Sequence, residues 1–398
     1  MKITSIDVYD FAKCLNYDDC APICIRINTD EGISGFGEVG LAYGDAHYAG
    51  VGIVRDFGQL IIGMDPLNIE AIREKLFRTT FWGMGGGTVI NAGMSAIDIA
   101  LWDIKGKYFN VPVYQMIGGK TNDKIRAYAS QIQFDWDLEE AALIQPEDYA
   151  MAARKAIAEG YTAVKVDPIG YSENGTWQRA VQDPKWRTRG QLPQNVLKMV
   201  RARLKAIRDV SETLDIIIEL HAFTDTSTAI QLANYVDDLN IMYYEEPVHP
   251  LNPVSMREIK ENIKIPVASG ERIYGRLGYR PFFEARALDV IQPDVCLCGG
   301  ITETKKVCDM ADTYDIKVQV HVCGGPISQA AALHVEATLP NFLIHEQHSY
   351  GLKEGLISTC KYNYAPDKNG NLTVPELPGI GQEINEETMA KTWVYTIE

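Results

Sequence analysis

Six ionisable side chains recur through the C-terminal half of the chain at nearly constant intervals. Glu219, Glu245, Glu271, Asp294, His321 and Glu346 stand 26, 26, 23, 27 and 25 residues apart. Each ends a run of strand-forming sequence, as in "DIIIE" (215–219) and "IMYYE" (241–245). Side chains alternate along a strand, so His221, two positions past Glu219, shares its face. Three carboxylates brought together from successive strands raise one another's pKa steeply in a partly dry site, and a divalent cation removes that conflict. Oxygen-only ligation by Glu219, Glu245 and Glu271 favours Mg²⁺, with Mn²⁺ as the alternative, over zinc. One such acid alone reads as a salt bridge or a solvated strand end; three in register point to a metal site. An Asp beside a His orients the ring and stabilises its protonated form, which makes His321, with Asp294, a candidate general base. His221 is placed to give a proton to a leaving group, with ligation of the cation as its competing role. Glu346 closes the series and, if its acidic surroundings keep it protonated, can hydrogen-bond an anionic oxygen.

The interval is that of one strand and one helix. From residue 124 the texture predicts eight strands: "KIRAYAS", "TAVKVD", "DIIIEL", "IMYYEE", "IPVASGE", "DVIQPD", "IKVQVH" and "FLIHEQ". Helical patterns such as "PEDYAMAARKAIAEG" and "NVLKMVRARLKAIRDV" fall between them. This is the length and pattern of an α/β (β/α)8 barrel. A doubly wound sheet also alternates, but it spreads its strand ends along an edge, whereas a barrel gathers them around one mouth. Residues 1–123 read as α+β. "KITSIDVYDFA" and "PICIRINTDEGISGFGEV" predict a small antiparallel meander, and three helical stretches follow it. Between two of these, "GMGGG" (83–87) reads as a flexible loop, with an anion cradle as the second reading.

Composition excludes several classes. A formal charge of −15 repels phosphate backbones and anionic lipid, and no Lys/Arg-rich run overrides it, so neither nucleic acid nor membrane is an expected partner. The first residues lack a signal-peptide pattern and no apolar run reaches spanning length, which leads to the expectation of a cytoplasmic enzyme. The eight cysteines include no C-x-x-C, and reduced thiols are expected. Cys296 and Cys298 read as packed strand-end residues in preference to soft-metal ligands.

The strand-end series, together with "MSAIDIALWDIKGK", "EEP", "SGERIYGR", "IQPDVCLCGGIT" and "PGIGQEI", resembles the enolase superfamily. Within it, the chain is most similar to the mandelate racemase/muconate-lactonizing branch and its D-galactonate dehydratase-like acid-sugar dehydratases. The resemblance implies a modified TIM barrel (124–356) with an N-terminal capping domain (1–123) and a C-terminal segment (357–398) that returns to the cap. It implies Glu219, Glu245 and Glu271 as Mg²⁺ ligands, His321 with Asp294 as the base that removes the proton next to a carboxylate, and Glu346 as a hydrogen-bonding partner of that carboxylate. It implies His221 as the acid that helps a 3-hydroxyl leave, so that a sugar acid (galactonate, gluconate or mannonate, for example) becomes a 2-keto-3-deoxy acid. Homo-oligomers from dimer to octamer are expected on the same ground.

Two positions depart from the pattern. Glu219 stands where related dehydratases usually have Asp. In "VKVDP", Lys165 is kept but Asp167 replaces the second lysine that serves as base in racemases. A racemase or epimerase using His321 and Lys165 from opposite faces is therefore the second hypothesis, and a sugar-acid-binding homologue of weak activity the third. The insertion 169–190 falls on the active-site side of the barrel and carries Tyr171, Arg179, Arg187 and Arg189, expected to meet sugar hydroxyls or a carboxylate. Tyr171 is a rival to His321 as base, because some mannonate dehydratases use a loop Tyr. Asp167, Arg272 and Arg179 complete the set as candidate substrate-binding residues. The cap loops 16–20, 41–46 and 81–87 are expected to close the other side.

Overall fold

The computed structural model describes residues 1–15, 20–136, 142–178 and 184–398. Strands β1 (Ile3–Asp10), β2 (Ile23–Thr29) and β3 (Ser34–Val39) come first. Then follow β4 (Ile125–Ser130), β5 (Ala163–Val166), β6 (Asp215–Glu219), β7 (Ile241–Glu245), β8 (Val267–Ser269), β9 (Val290–Ile291), β10 (Lys317–Val318) and β11 (His345–His348). Short strands β12 (Asn371–Leu372) and β13 (Trp393–Ile397) end the chain.

Strands β4 to β11 pair in parallel in the order β10-β9-β8-β7-β6-β5-β4-β11. The two edges meet where Leu343 N donates to Val318 O at 2.8 Å and Phe342 bridges Val318, which closes the ring. The alternation of strand and helix is as expected, but β9 and β10 are shorter than "DVIQPD" and "IKVQVH". Pro293 has no N–H to give to a ladder, so regular pairing stops before it. Only single contacts, such as His321 N to Pro293 O at 3.2 Å, carry the chain on toward the mouth. The floor of the barrel is filled by Tyr128, Ala163, Ile217, Tyr243, Ala268 and Ile344, a packed layer that leaves the opposite end for chemistry.

The cap sheet is antiparallel in the order β13-β1-β2-β3. Residues 357–398 thus bind both parts of the molecule: β12 pairs with β4 of the barrel, and β13 pairs with β1 of the cap. The helix Thr88–Phe109 lies directly on β3, where a Cβ at Gly37 would sit 1.9 Å from Ala96 O; only glycine permits that approach. The same helix docks on the barrel. Ser95 Oγ accepts from Gly299 N and Gly300 N at 2.9 and 3.0 Å, and Asp98 Oδ2 accepts from Thr302 N at 3.0 Å, at the start of the helix Gly300–Asp312. Gly300 has φ +79° and a Cβ there would lie 2.3 Å from Asp98. No helix among the described residues is long and apolar enough to cross a membrane.

Candidate active site

Some of the residues at the barrel strand ends surround a cavity of about 530 Å³ at the mouth, while Glu219, Glu245 and Asp294 do not line it. Its wall includes His221, Glu271, His321 and Glu346 from the barrel, Tyr171 and Trp177 from the insertion, and Tyr43 to Asp45 from the cap. Of the three cap loops, 41–46 therefore reaches the cavity, 81–87 does not line it, and residues 16–19 lie outside the described residues.

His321 is buried at the end of the segment after β10. Its Nδ1 meets Asp294 Oδ2 at 2.7 Å and its Nε2 meets Glu271 Oε2 at 2.9 Å. Burial alone would favour the neutral ring, but Glu271, Glu346 and the hydrogen bond with Asp294 outweigh it and hold the pKa well above the usual histidine value. Reciprocally, burial works against the charged form of Glu271, yet the His321 charge and hydrogen bond, then Arg272, bring its pKa well below the usual carboxylate range. His321 thus has a carboxylate on each nitrogen, an arrangement that favours its protonated form.

Lys165 sits at the centre of the acidic group and is almost wholly buried. Its Nζ lies 2.8 Å from Glu346 Oε1, 2.9 Å from Glu245 Oε1 and 3.5 Å from Glu219 Oε2. Desolvation would lower its pKa, but Glu245, Glu346 and Glu219 raise it well above the ordinary lysine value, so this ammonium is a fixed countercharge. The expectation of a protonated Glu346 is corrected by these contacts. Burial favours its neutral form, but Lys165, His321 and the Ser130 hydroxyl, which donates at 2.6 Å, bring its pKa below the usual range. With Val322 N also donating to Oε2 at 3.1 Å, Glu346 is an ionised acceptor already satisfied by the protein and has no proton to give.

Glu219 and Glu245 are register neighbours on β6 and β7 and lie close enough to share a proton. Burial and Glu219 push Glu245 well above the ordinary value; for Glu219, burial is outweighed by His221, Glu245 and Lys165, and its pKa falls. Glu245 Oε2 is buried and, among the described residues, receives no N–H or O–H donor. The expectation that three acids converge is met in part: Glu271 is turned toward His321 and Arg272, and among the described residues no trio of acids and imidazoles is already gathered as a ligand cluster.

Two substrate-binding expectations change. Asp167 is fully buried and accepts from Ile169 N at 3.2 Å through Oδ1 while Oδ2 meets His221 Nδ1 at 2.9 Å, so it holds a histidine in place of a substrate. Arg272 pairs with Glu246, its Nε 3.2 Å from Oε1, and lies 3.4 Å from Glu271. Burial, Glu271 and an opposing Arg272 set Glu246 at about 7. Arg179 lies outside the described residues. The other two loop arginines bind main-chain carbonyls, Arg187 that of Gln191 and Arg189 those of Ala222 and Phe223. Tyr171 does face the cavity. It pairs with Trp177 across a small hairpin, ring centroids 4.8 Å apart, and Phe134 and Phe223 extend the aromatic wall.

Sequence reasoning passed over Glu246, Ser130 and His348. Glu246 follows Glu245 in "EEP", and a φ of +41° turns it from the strand's alternation. His348 was findable, since it stands two residues past Glu346 on β11 and so shares its face. Its Nδ1 accepts from Tyr350 N at 3.2 Å, and burial brings its pKa to about 3, so this imidazole is neutral.

Residues 148–388 match a family model described as enolase C-terminal domain-like, and residues 18–118 match the mandelate racemase/muconate lactonizing enzyme N-terminal domain. The chain belongs to this family. Among its relatives, D-xylonate dehydratase of Haloferax volcanii is 32% identical over 90% of this chain and 82% of its own length. D-galactonate dehydratase of Variovorax paradoxus is 30% identical over 97% and 93%. The fold is similar to that of an enolase-superfamily member from Salmonella Typhimurium, at TM-score 0.95 and 55% identity with full coverage of both chains. It is also similar to a mandelate racemase/muconate lactonizing enzyme from Jannaschia sp., at TM-score 0.85 and 28% identity over 99% and 98%. The family's two-part architecture is thus present from the cap to the C-terminal strand.

Proposed function

We propose that the protein is a Mg²⁺-dependent acid-sugar dehydratase that converts an aldonate to a 2-keto-3-deoxy acid. The observation that carries this reading is the pair of histidines, His321 and His221, on one cavity above a cluster of buried acids. The named dehydratases among its relatives support the same class.

A divalent cation fits the donor set. Among the described residues, seven carboxyl groups (Asp167, Glu219, Glu245, Glu246, Glu271, Asp294, Glu346) meet four groups able to carry positive charge, Lys165, Arg272, His221 and His321. Glu245 also offers a buried oxygen without a donor. Glu219, Glu245 and Glu271 would hold the ion, through oxygen alone, as Mg²⁺ prefers. When bound, it would supply positive charge to the carboxylate oxygens of the substrate as negative charge builds on them.

The chain's own groups would do the proton work. His321, freed from Glu271 and deprotonated, takes the C2 proton through Nε2, and Asp294 holds the ring while the charge appears on it. The C2–H electron pair moves into the carboxylate as an enediolate, then forms the C2–C3 double bond as the C3–O bond breaks. His221 gives its proton to the departing hydroxyl, which leaves as water, and the enol becomes the 2-keto acid. Lys165 has no part in this transfer: its ammonium is engaged by three carboxylates and does not line the cavity, which disfavours a racemase that uses it as second base. The described lining contains no Lys or Arg and includes Asp45, so a monoacid suits it better than a diacid.

A screen of aldonates and aldarates with Mg²⁺, read by semicarbazide detection of 2-keto-3-deoxy product, tests the proposal. Turnover of at least one five- or six-carbon aldonate is expected, falling by a factor on the order of 10² or more in His321→Asn and lost in Glu245→Gln. Silence across the library from folded, Mg²⁺-supplied protein would leave a sugar-acid-binding homologue as the reading.

A further inference from the structure

The mouth of the barrel contains the same device twice. Asp294 accepts from Cys296 N, two residues on, at 2.7 Å through Oδ1, and holds His321 Nδ1 at 2.7 Å through Oδ2. Asp167 accepts from Ile169 N, two residues on, at 3.2 Å through Oδ1, and holds His221 Nδ1 at 2.9 Å through Oδ2. In each case the Asp follows one strand and the His follows the next: β5 and β6 for Asp167 and His221, β9 and β10 for Asp294 and His321. The histidine-bearing strands β6 and β10 stand four positions apart in a ring of eight, so the two histidines face one another across the cavity that both line.

We propose that Asp167 is a positioning residue for His221, forming a second Asp–His dyad that serves departure of the hydroxyl as Asp294–His321 serves removal of the proton. The inference rests on the dehydratase reading. Asp167 is fully buried, its main-chain N donates to Gln133 Oε1 at 3.1 Å, and its Oδ1 is committed to Ile169 N, so its carboxylate has one orientation. That orientation fixes a proton on His221 Nδ1 and leaves Nε2 for the cavity. His221 itself is held at φ +46°, a conformation that costs energy in a non-glycine residue and is kept only where the surroundings impose it. Glu219 Oε1 lies 3.8 Å from the same nitrogen, beyond hydrogen-bond distance, so Asp167 is the partner that sets the ring.

An Asp→Asn change at such a position keeps the shape and disturbs the tautomer. The discriminating substrate is the 3-deoxy-3-fluoro analogue of whichever aldonate the enzyme turns over. There the C2 proton still passes to His321, but C3–F breaks to release fluoride, which needs no proton. Asp167→Asn is expected to lower kcat on the parent sugar acid by a factor on the order of 10² with KM changed only slightly. Its kcat on the fluoro analogue, read by fluoride release, is expected to fall less than about fivefold, a split that general loss of structure would not produce. Equal losses on both substrates, or an Asp167→Asn enzyme as fast as wild type on the parent, would overturn the proposal. A second measurement does not depend on the variant folding or on any substrate. ¹⁵N-histidine NMR of the Mg²⁺-supplied wild-type protein should show a hydrogen-bonded Nδ1–H on the ring whose signal disappears in His221→Asn. A His221 protonated on Nε2 alone would refute the dyad even if sugar acids are dehydrated, whereas failure of every sugar acid with that Nδ1–H present would count against the dehydratase reading and not against the pairing.

Discussion

Lys165 shows how strongly a single side chain is defined by what surrounds it. Glu219, Glu245 and Glu271 are the acids expected to need a cation, and for the first two part of that need is met by this ammonium, covalently attached and buried among Glu219, Glu245 and Glu346. Replacing it with Met leaves three buried acids with one fewer countercharge. Removing one partner of a buried ion pair commonly destabilises by about 3–5 kcal/mol. Lys165→Met should accordingly lower the urea midpoint markedly in the absence of divalent ions, measured against wild type at the same pH. If Lys165 were a proton-transfer base, the loss would appear in turnover with stability nearly unchanged.

At the scale of elements, Glu38 on β3 links cap and barrel. Its carboxylate accepts from Gly325 N and Ser328 N at 2.6 and 3.0 Å, at the start of the helix Pro326–Glu336, where free N–H groups and the helix dipole favour an acid. Burial nevertheless dominates and raises its pKa from 4.5 to about 7. The folded state then keeps a proton that the unfolded chain releases near pH 4.5, so stability declines as pH rises between about 4.5 and 7 and is level above that range. Asp98, on the cap helix that docks the neighbouring barrel helix, is raised mainly by burial to about 7 and adds a slope of the same sign. Glu38→Gln should remove part of this decline, seen as a smaller difference between urea midpoints at pH 5 and pH 7.5. An unchanged difference would show that Glu38 is ionised throughout.

Over the whole molecule, the acids at the mouth exceed the available cations, and the fold rather than a flexible loop holds them there. A cation that binds this state and not the unfolded chain stabilises it by RT ln(1 + [L]/Kd), about 2.7 kcal/mol at a hundredfold excess over Kd. Titration with Mg²⁺ after dialysis against chelator should therefore raise the unfolding temperature of the wild-type protein, and Glu245→Gln should abolish most of the rise. Equal shifts in both proteins would place the bound ion elsewhere. The chain closes on itself to maintain this arrangement, with β13 completing the cap sheet that begins at β1 and β12 bracing β4.

What could be read from the residues was whatever depends on order along the chain. The strand–helix period carried Glu219, Glu245, Glu271, Asp294, His321 and Glu346 to one end of a barrel, because every unit returns its strand in the same direction. Alternation would have put His348 beside Glu346 on β11, but it did not place His221, which stands past the end of β6 at φ +46°. Pairing and charge were decided only in three dimensions. Asp167 and His221 are 54 residues apart, and Lys165 and Glu346 are 181 apart; which of them touch depends on the order of strands around the ring. The ionisation of Glu346 follows from Lys165 at 2.8 Å, and the turn of Glu246 onto Arg272 from a backbone conformation that no alternation implies. Charge state is set by distance and burial, and neither exists until the chain has folded.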